Sequence, residues 1–503
     1  MDQLPVIIPM TLLIFSLLTP LLGQVWGGSV FAATLCGVFI STIASFLALD
    51  RVLTHGTLYY DLGGWAPPVG IEYVVDEVAA YVCVVITTVS FLVLISTRRW
   101  VLKESADRST GIFYSLVLLL LGGLTGIVVT GDLFNLFVFL EISSLSAYAL
   151  VFIGGRNAML AGFRYLIIGS IGGAFYLLGV GFIYFATGTL NMEEARLLLP
   201  DAEATRAVQA GAVLIFAGLG LKMGLVPMHF WLPDAYQHAP SSVNSLISPI
   251  MTKVAAYAML RMFLSVFPHG YLTDIVPVAD ALVILGLIGI AFGSIAAASQ
   301  TDIRRMLAYS SISQLALIAV GIGLATPLAF VAALLHIVNH AAMKSTLFLA
   351  AASIRLQVGL QKVHNFAGLG RSMPVTMAAF TLAAISMVGI PPTAGFFSKW
   401  YMIQAGLNQG DWAVVVVVLL SSLLTAVYLF KVLEQAYLRP AKSNIVHDSH
   451  DETSSSAIRT EVARAKESQI DVWAPLIILA VAIVAIGVFN VVIIDNILRP
   501  GVS

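Results

Sequence analysis

Seven ionisable residues, Glu141, Lys222, Lys253, His336, His340, Lys344 and Lys399, lie in stretches that are otherwise apolar, hydroxylated or broken by proline. A lysine at the centre of a bilayer costs roughly 2.5 to 3.5 kcal/mol on insertion scales, so such groups persist mainly where they line an ion path or pair with one another. Glu141 sits in GDLFNLFVFLEISSLSAYALV, and Lys222 opens the segment LKMGLVPMHFWLPDAYQHAPSSVNSLISPIMTK, which also holds Lys253. Opposite charges in hydrocarbon could form a pair whose opening captures or releases a proton, or a static ion pair that joins two helices. LLHIVNHAAMK sets His336, His340 and Lys344 at i, i+4 and i+8, one face of a helix. Imidazole exchanges protons near neutral pH and Lys344 continues the line, so the face suits a proton relay; polar packing between helices is its other use. Lys399, in GIPPTAGFFSKW, would end the relay at the membrane centre or snorkel to the surface. His229, beside Pro227, is a second-rank relay candidate or a satisfied histidine, and Asp234 is expected to cap a turn.

Other chemistries have little to stand on. Two histidines four apart can bind zinc, yet no Glu follows the first as in HExxH and no third ligand is evident. Neither a Walker A motif nor a GxGxxG before a helix occurs, so no nucleotide, metal or other cofactor is expected, and no nucleic acid partner. Cys36 and Cys83 fall in apolar runs and imply no disulfide framework.

The elements that must carry these residues are membrane helices. The 503 residues are 59% hydrophobic and 11% charged, with a mean hydropathy of +0.94. Apolar runs of about 20 residues suit a hydrocarbon core of roughly 30 Å. They predict an all-α polytopic membrane protein with about 14 spans, near 4–22, 29–49, 75–96, 111–130, 133–154, 163–187, 209–228, 242–267, 276–299, 305–325, 327–354, 374–408, 412–437 and 472–496. The seventh and twelfth contain breaks, with Gly224 and Pro227 in one and Gly389, Pro391 and Pro392 in the other. Interrupted helices at corresponding places in two halves point to a transporter with sites near the midplane. The first run lacks a basic leader and is expected to be retained.

Lysine and arginine collect in alternate loops: Arg98, Arg99, Lys103 and Arg108, then Arg156 and Arg164, Arg304 and Arg305, Lys362 and Arg371, Arg439 and Lys442. That bias puts these loops in the cytoplasm and both termini outside, in an inner membrane. The stretch Asp50 to Asp76, with DLGGWAPPVGIEYVVD, is expected outside as a compact cap or hairpin. Lys431 and Glu434 are expected to form a surface pair. The units expected are a three-helix segment at 1–110, helical units at 111–267 and 276–437, a polar cytoplasmic loop at 438–471 and a last span within 472–503.

The order and spacing of FLEISSLSAYAL, KMGLVPMHFWLPDAYQHAPSS, SPIMTKVAAYAMLR, DIRRMLAYSSISQL, HIVNHAAMK and GIPPTAGFFSKWYM resemble the antiporter-like membrane subunits. That group comprises proton-pumping subunits of respiratory complex I, their relatives in membrane-bound hydrogenases and the large subunits of Mrp-type sodium/proton antiporters. The resemblance implies two inverted five-helix repeats with discontinuous helices at the seventh and twelfth positions, and a polar axis through the membrane centre. It implies that Glu141 and Lys222 are the coupling pair, Lys253 a bridging lysine, His336, His340 and Lys344 the central relay, and Lys399 the terminal lysine. A lysine at that last position, with the FATGTLNM segment, leans toward the D-type subunit of a Mrp-like cation/proton antiporter. The alternative is a pump subunit of a redox-driven quinone reductase or hydrogenase, in which case it would count as a translocase subunit. Either way the resemblance implies other subunits of a hetero-oligomeric membrane complex, protons, sodium ions and lipid as partners.

Overall fold

The computed structural model describes residues 3–104, 110–202, 205–439 and 466–502. Most of the polar loop expected at 438–471, with Lys442, lies outside the described residues, as does Arg108.

Helices dominate because the long apolar runs contain their own backbone hydrogen bonds, the condition for crossing hydrocarbon. In chain order these are α1 (Leu4–Val25), α2 (Val30–His55), α3 (Glu77–Glu104), α4 (Thr110–Val129), α5 (Leu133–Phe152), α6 (Arg156–Thr187), α7 (Met192–Leu198), α8 (Thr205–Met223), α9 (Trp231–His238) and α10 (Ser241–Arg261). They continue as α11 (Val278–Ser299), α12 (Ile303–Gly323), α13 (Pro327–Val358), α14 (Leu369–Ser372), α15 (Pro374–Val388), α16 (Ala394–Gln409), α17 (Trp412–Leu433) and α18 (Ile470–Val488). Thirteen helical stretches among the described residues are long and apolar enough to span a membrane. The remaining expected span, the twelfth at 374–408, is two shorter helices, α15 and α16, separated at Gly389 to Thr393.

The breaks have a local cause. α8 stops before Gly224 and α15 before Gly389, both with positive φ (82° and 94°), which a residue with a Cβ adopts only at a cost. Prolines follow each and cannot continue the ladder. The seventh span therefore ends at Met223 rather than near 228, and the chain re-enters a helix as α9.

The expected hairpin is present. β1 (Leu58–Asp61) pairs antiparallel with β2 (Glu72–Val75), Leu58 opposite Val75. Contacts sort the loops onto two ends. At the hairpin end Tyr73 bridges Thr130, Asp132 bridges Asn191, and Arg261 pairs with Asp76. At the opposite end Asp302 bridges Lys362, Arg99 meets Asp471 at 2.6 Å, and Glu467 accepts hydrogen bonds from Val375 N (2.8 Å) and Thr376 N (3.2 Å). Equivalent aspartates start two helices: Asp132 accepts from Asn135 N at the head of α5, and Asp302 from Arg305 N at the head of α12.

Burial separates a centre from a periphery. About nine-tenths of α10, α12 and α13 is buried, against little more than a third of α6, α11, α17 and α18. Lys253, His336, His340 and Lys344 are therefore on the helices furthest from lipid.

Candidate functional site

The first break brings Glu141 and Lys222 together. Lys222 Nζ donates to Glu141 Oε1 at 3.0 Å, to Ser144 Oγ at 2.7 Å and to Tyr148 OH at 3.4 Å. Lys222 is buried, while the Glu141 side chain keeps about a quarter of its surface exposed. α6 makes room for the carboxylate at Gly173, where a Cβ would collide with Glu141 Oε1.

Lys253 has no carboxylate among its bonded partners. Its Nζ donates to Ser248 O at 2.5 Å and weakly to Thr252 Oγ1 at 3.4 Å, both on its own helix α10. Ser248 Oγ in turn donates to Asn244 O, so a polar face of α10 runs from Lys253 toward the end opposite the hairpin.

The histidine face of α13 forms as spaced. The rings of His336 and His340 lie 5.8 Å apart and 10° from parallel. His336 Nδ1 is 2.9 Å from Ser398 Oγ on α16. Lys344 turns away from the rings and donates to Leu307 O at 2.8 Å and to Ser310 Oγ on α12. α13 packs against α10, α12 and α16, so the face lies among the helices that carry Lys253 and Lys399. His336 Nε2, both ring nitrogens of His340, Asn339 Oδ1 and both amide atoms of Gln314 are buried with no hydrogen-bond partner among the described residues. Buried polar atoms of this kind are ordinarily satisfied by ordered water, which also carries protons.

Lys399 ends the series at the second break. Its Nζ donates to Met387 O (2.8 Å), Val388 O (3.2 Å) and Ser422 Oγ (3.1 Å), so the cation rests on the C-terminal carbonyls of α15. It is buried and does not snorkel. His229 is buried beside the first break, its ring 4.7 Å from both Phe230 and Phe292.

Some expectations need correcting. Asp234 does not cap a turn: its carboxylate pairs with Arg164 at 2.8 Å and Arg305 at 3.5 Å, tying α9 to α6 and α12. Glu434 pairs with Arg439 at 3.1 Å rather than with Lys431, because a π-helical turn at Glu434–Leu438 brings the arginine round.

Residues with no chemical signature in the sequence also belong to the buried polar set. Arg261, buried, forms an ion pair with the partly buried Asp76 at the hairpin end. Arg304 is buried with Nη2 donating to Tyr236 O at 3.0 Å and to Ala239 O, the last carbonyls of α9. In the sequence Arg304 stands out only as a topology marker in the DIRR motif, and the apolar run that follows residue 305 is the one hint of its burial.

Residues 130–425 match the family profile described as NADH:quinone oxidoreductase/Mrp antiporter, transmembrane region. The chain belongs to this family. Two curated relatives mark its breadth. NADH-quinone oxidoreductase subunit N of Desulforudis audaxviator is 42% identical over 90% of this chain and 89% of its own. The D subunit of the Bacillus subtilis Na(+)/H(+) antiporter is 30% identical over 86% of each chain. Among solved structures, a chain of the membrane-bound sulfane sulfur reductase, an archaeal respiratory membrane complex, superposes with a TM-score of 0.88 at 32% identity, covering 99% of this chain and 97% of that one. The family profile takes in α5 to α16, both breaks and every lysine and histidine of the buried set.

Proposed function

We propose that this protein is a proton-translocating subunit of a multisubunit membrane complex, as the D-type subunit of a Mrp-like sodium/proton antiporter. The observation that carries the reading is the Glu141–Lys222 pair at a helix break, followed by a buried series of lysines and histidines that leads to a second break at Lys399. In this reading a proton from one face opens the Glu141–Lys222 pair. The change of charge is felt in turn by Lys253, the His336, His340 and Lys344 face, and Lys399, each step being an electrostatic response in a low-dielectric, locally hydrated interior. The helical units 111–267 and 276–437 would act as inverted repeats about this axis. The lysine- and arginine-rich end would be cytoplasmic and both termini outside the cell membrane.

A second reading is favoured by the 42% identity to a NADH-quinone oxidoreductase subunit: the same path driven by a redox complex. The two are separated by tagging the C-terminus, extracting the complex in mild detergent and identifying the proteins that accompany it. Small hydrophobic antiporter subunits without iron–sulfur or flavin proteins support the antiporter, with sodium/proton exchange in vesicles as the next assay. Iron–sulfur subunits in the complex assign the redox reading instead.

A further inference from the structure

At the end of the bundle opposite the hairpin, α9 is recessed between α6 and α12, and beside it lies a cavity of about 330 Å³. Arg164, Asp234, Arg305, Tyr309, His229 and Phe230 line it. Two arginines and one aspartate leave a surplus of one positive charge. Arg164 is two-thirds exposed and Arg305 one-third, so each guanidinium keeps donors free of the shared carboxylate. α6 runs from this end toward the hairpin, and its side chains lean toward the helix start, so Arg164 reaches to headgroup depth. His229, itself buried, adds an imidazole to the cavity wall.

Beyond the cavity the surface is apolar on both flanks. Phe163, Ile167 and Ile171 are exposed along one face of α6, and Ile288, Phe292 and Ile295 along α11. Between them the first break itself comes to the surface at Phe230, two-thirds exposed. An arginine-lined pocket at headgroup depth that opens onto a strip of exposed aliphatic and aromatic side chains has the chemistry of a phospholipid: an anionic phosphate at one end and acyl chains at the other.

We infer that this cavity is a binding site for one anionic phospholipid, whose phosphate engages Arg164 and Arg305 and whose chains lie across the first helix break between α6 and α11. Asp234 competes with the phosphate for the same two guanidinium groups. The site does not depend on which ion the protein moves, and it rests on the assignment of this end to the membrane surface, made above from the charged loops. Bound there, the lipid would brace α9, whose ties to α6 and α12 run through the same arginines.

The test uses the intact complex, purified in detergent, exchanged into mixed micelles with dioleoyl phosphatidylglycerol and phosphatidylcholine in a ratio of about 1:3, and examined for bound lipid by native mass spectrometry. The wild type should retain phosphatidylglycerol in preference to phosphatidylcholine. Arg164→Gln should weaken that retention about fivefold, the factor expected for loss of one basic residue at the surface. Arg164→Gln leaves the Arg305 contacts to Asp234 and Gln237 in place, so folding is maintained. Asp234→Asn should act in the opposite direction and strengthen retention, which a site disrupted only structurally would not do. Equal retention of the two lipids by the wild type, or loss of phosphatidylglycerol from both variants alike, overturns the proposal, as does a protein subunit found cross-linked to position 164 in place of lipid. Because the readout is bound lipid, failure here leaves the translocation reading untouched, and failure of that reading leaves this result to stand.

Discussion

The two helix breaks hold a buried lysine each, in opposite company. Lys222 closes α8 and faces a carboxylate, two hydroxyls and an aromatic ring, all from α5. Lys399 follows its break and faces two main-chain carbonyls and a serine hydroxyl. The first lysine thus has a counter-charge, and the second is held by fixed dipoles alone. An ion pair that can open suits the start of a charge relay, while a lysine held on fixed dipoles suits its end.

Substitutions can break or sharpen this contrast. The largest effect is expected at the first break: Lys222→Met or Glu141→Gln should lower proton flux in vesicles by at least ~100-fold, the lower range for a positioned proton-transfer group. The two variants should differ in stability. Glu141→Gln leaves a buried ammonium short of its counter-charge, whereas Lys222→Met removes the buried charge, so the glutamine variant should melt at the lower temperature. At the second break, Lys399→Glu would turn a carboxylate toward Met387 O and Val388 O and should destabilise the protein by about 1–3 kcal/mol, seen as a lower Tm, because two buried acceptors lose their donor. Glycine substitutions sharpen the comparison. Gly173→Ala would push a methyl into Glu141 Oε1 and should cut flux by up to about 100-fold while Tm barely moves, as expected for misplacement of a reacting group by about an ångström. Gly389→Ala, at φ +94°, should cost about 1–2 kcal/mol of stability from backbone strain and affect flux least.

Much of this is legible in the sequence because a bilayer makes sequence unusually explicit. Apolar run length marks the spans, and a charge within such a run marks each member of the buried series. Gly224 and Gly389 with their prolines locate the breaks, although the first lies several residues earlier than hydropathy places it, since Leu225 and Val226 are apolar yet outside the helix. Partners are harder to read. That Lys344 turns to Leu307 O and Ser310 on α12 rather than on to His340 depends on how two helices are rotated, and no periodicity encodes that. Arg261 and Asp76 each sit at a helix end, where a charge is ordinary in sequence, and only the fold makes them a pair in which the arginine is buried. Asp234 has the look of a cap because it stands in the first turn of α9, but two arginines from distant helices claim its carboxylate.

The central claim is that the Glu141–Lys222 pair moves charge and is more than a tie between α5 and α8. The direct measurement is proton flux in proteoliposomes carrying the purified complex, wild type against Glu141→Gln, under an imposed gradient and at matched subunit composition. Flux reduced by at least ~100-fold in a fully assembled complex is the result the account predicts. Undiminished flux from an assembled but less stable Glu141→Gln complex would contradict it and leave the pair a static ion bridge.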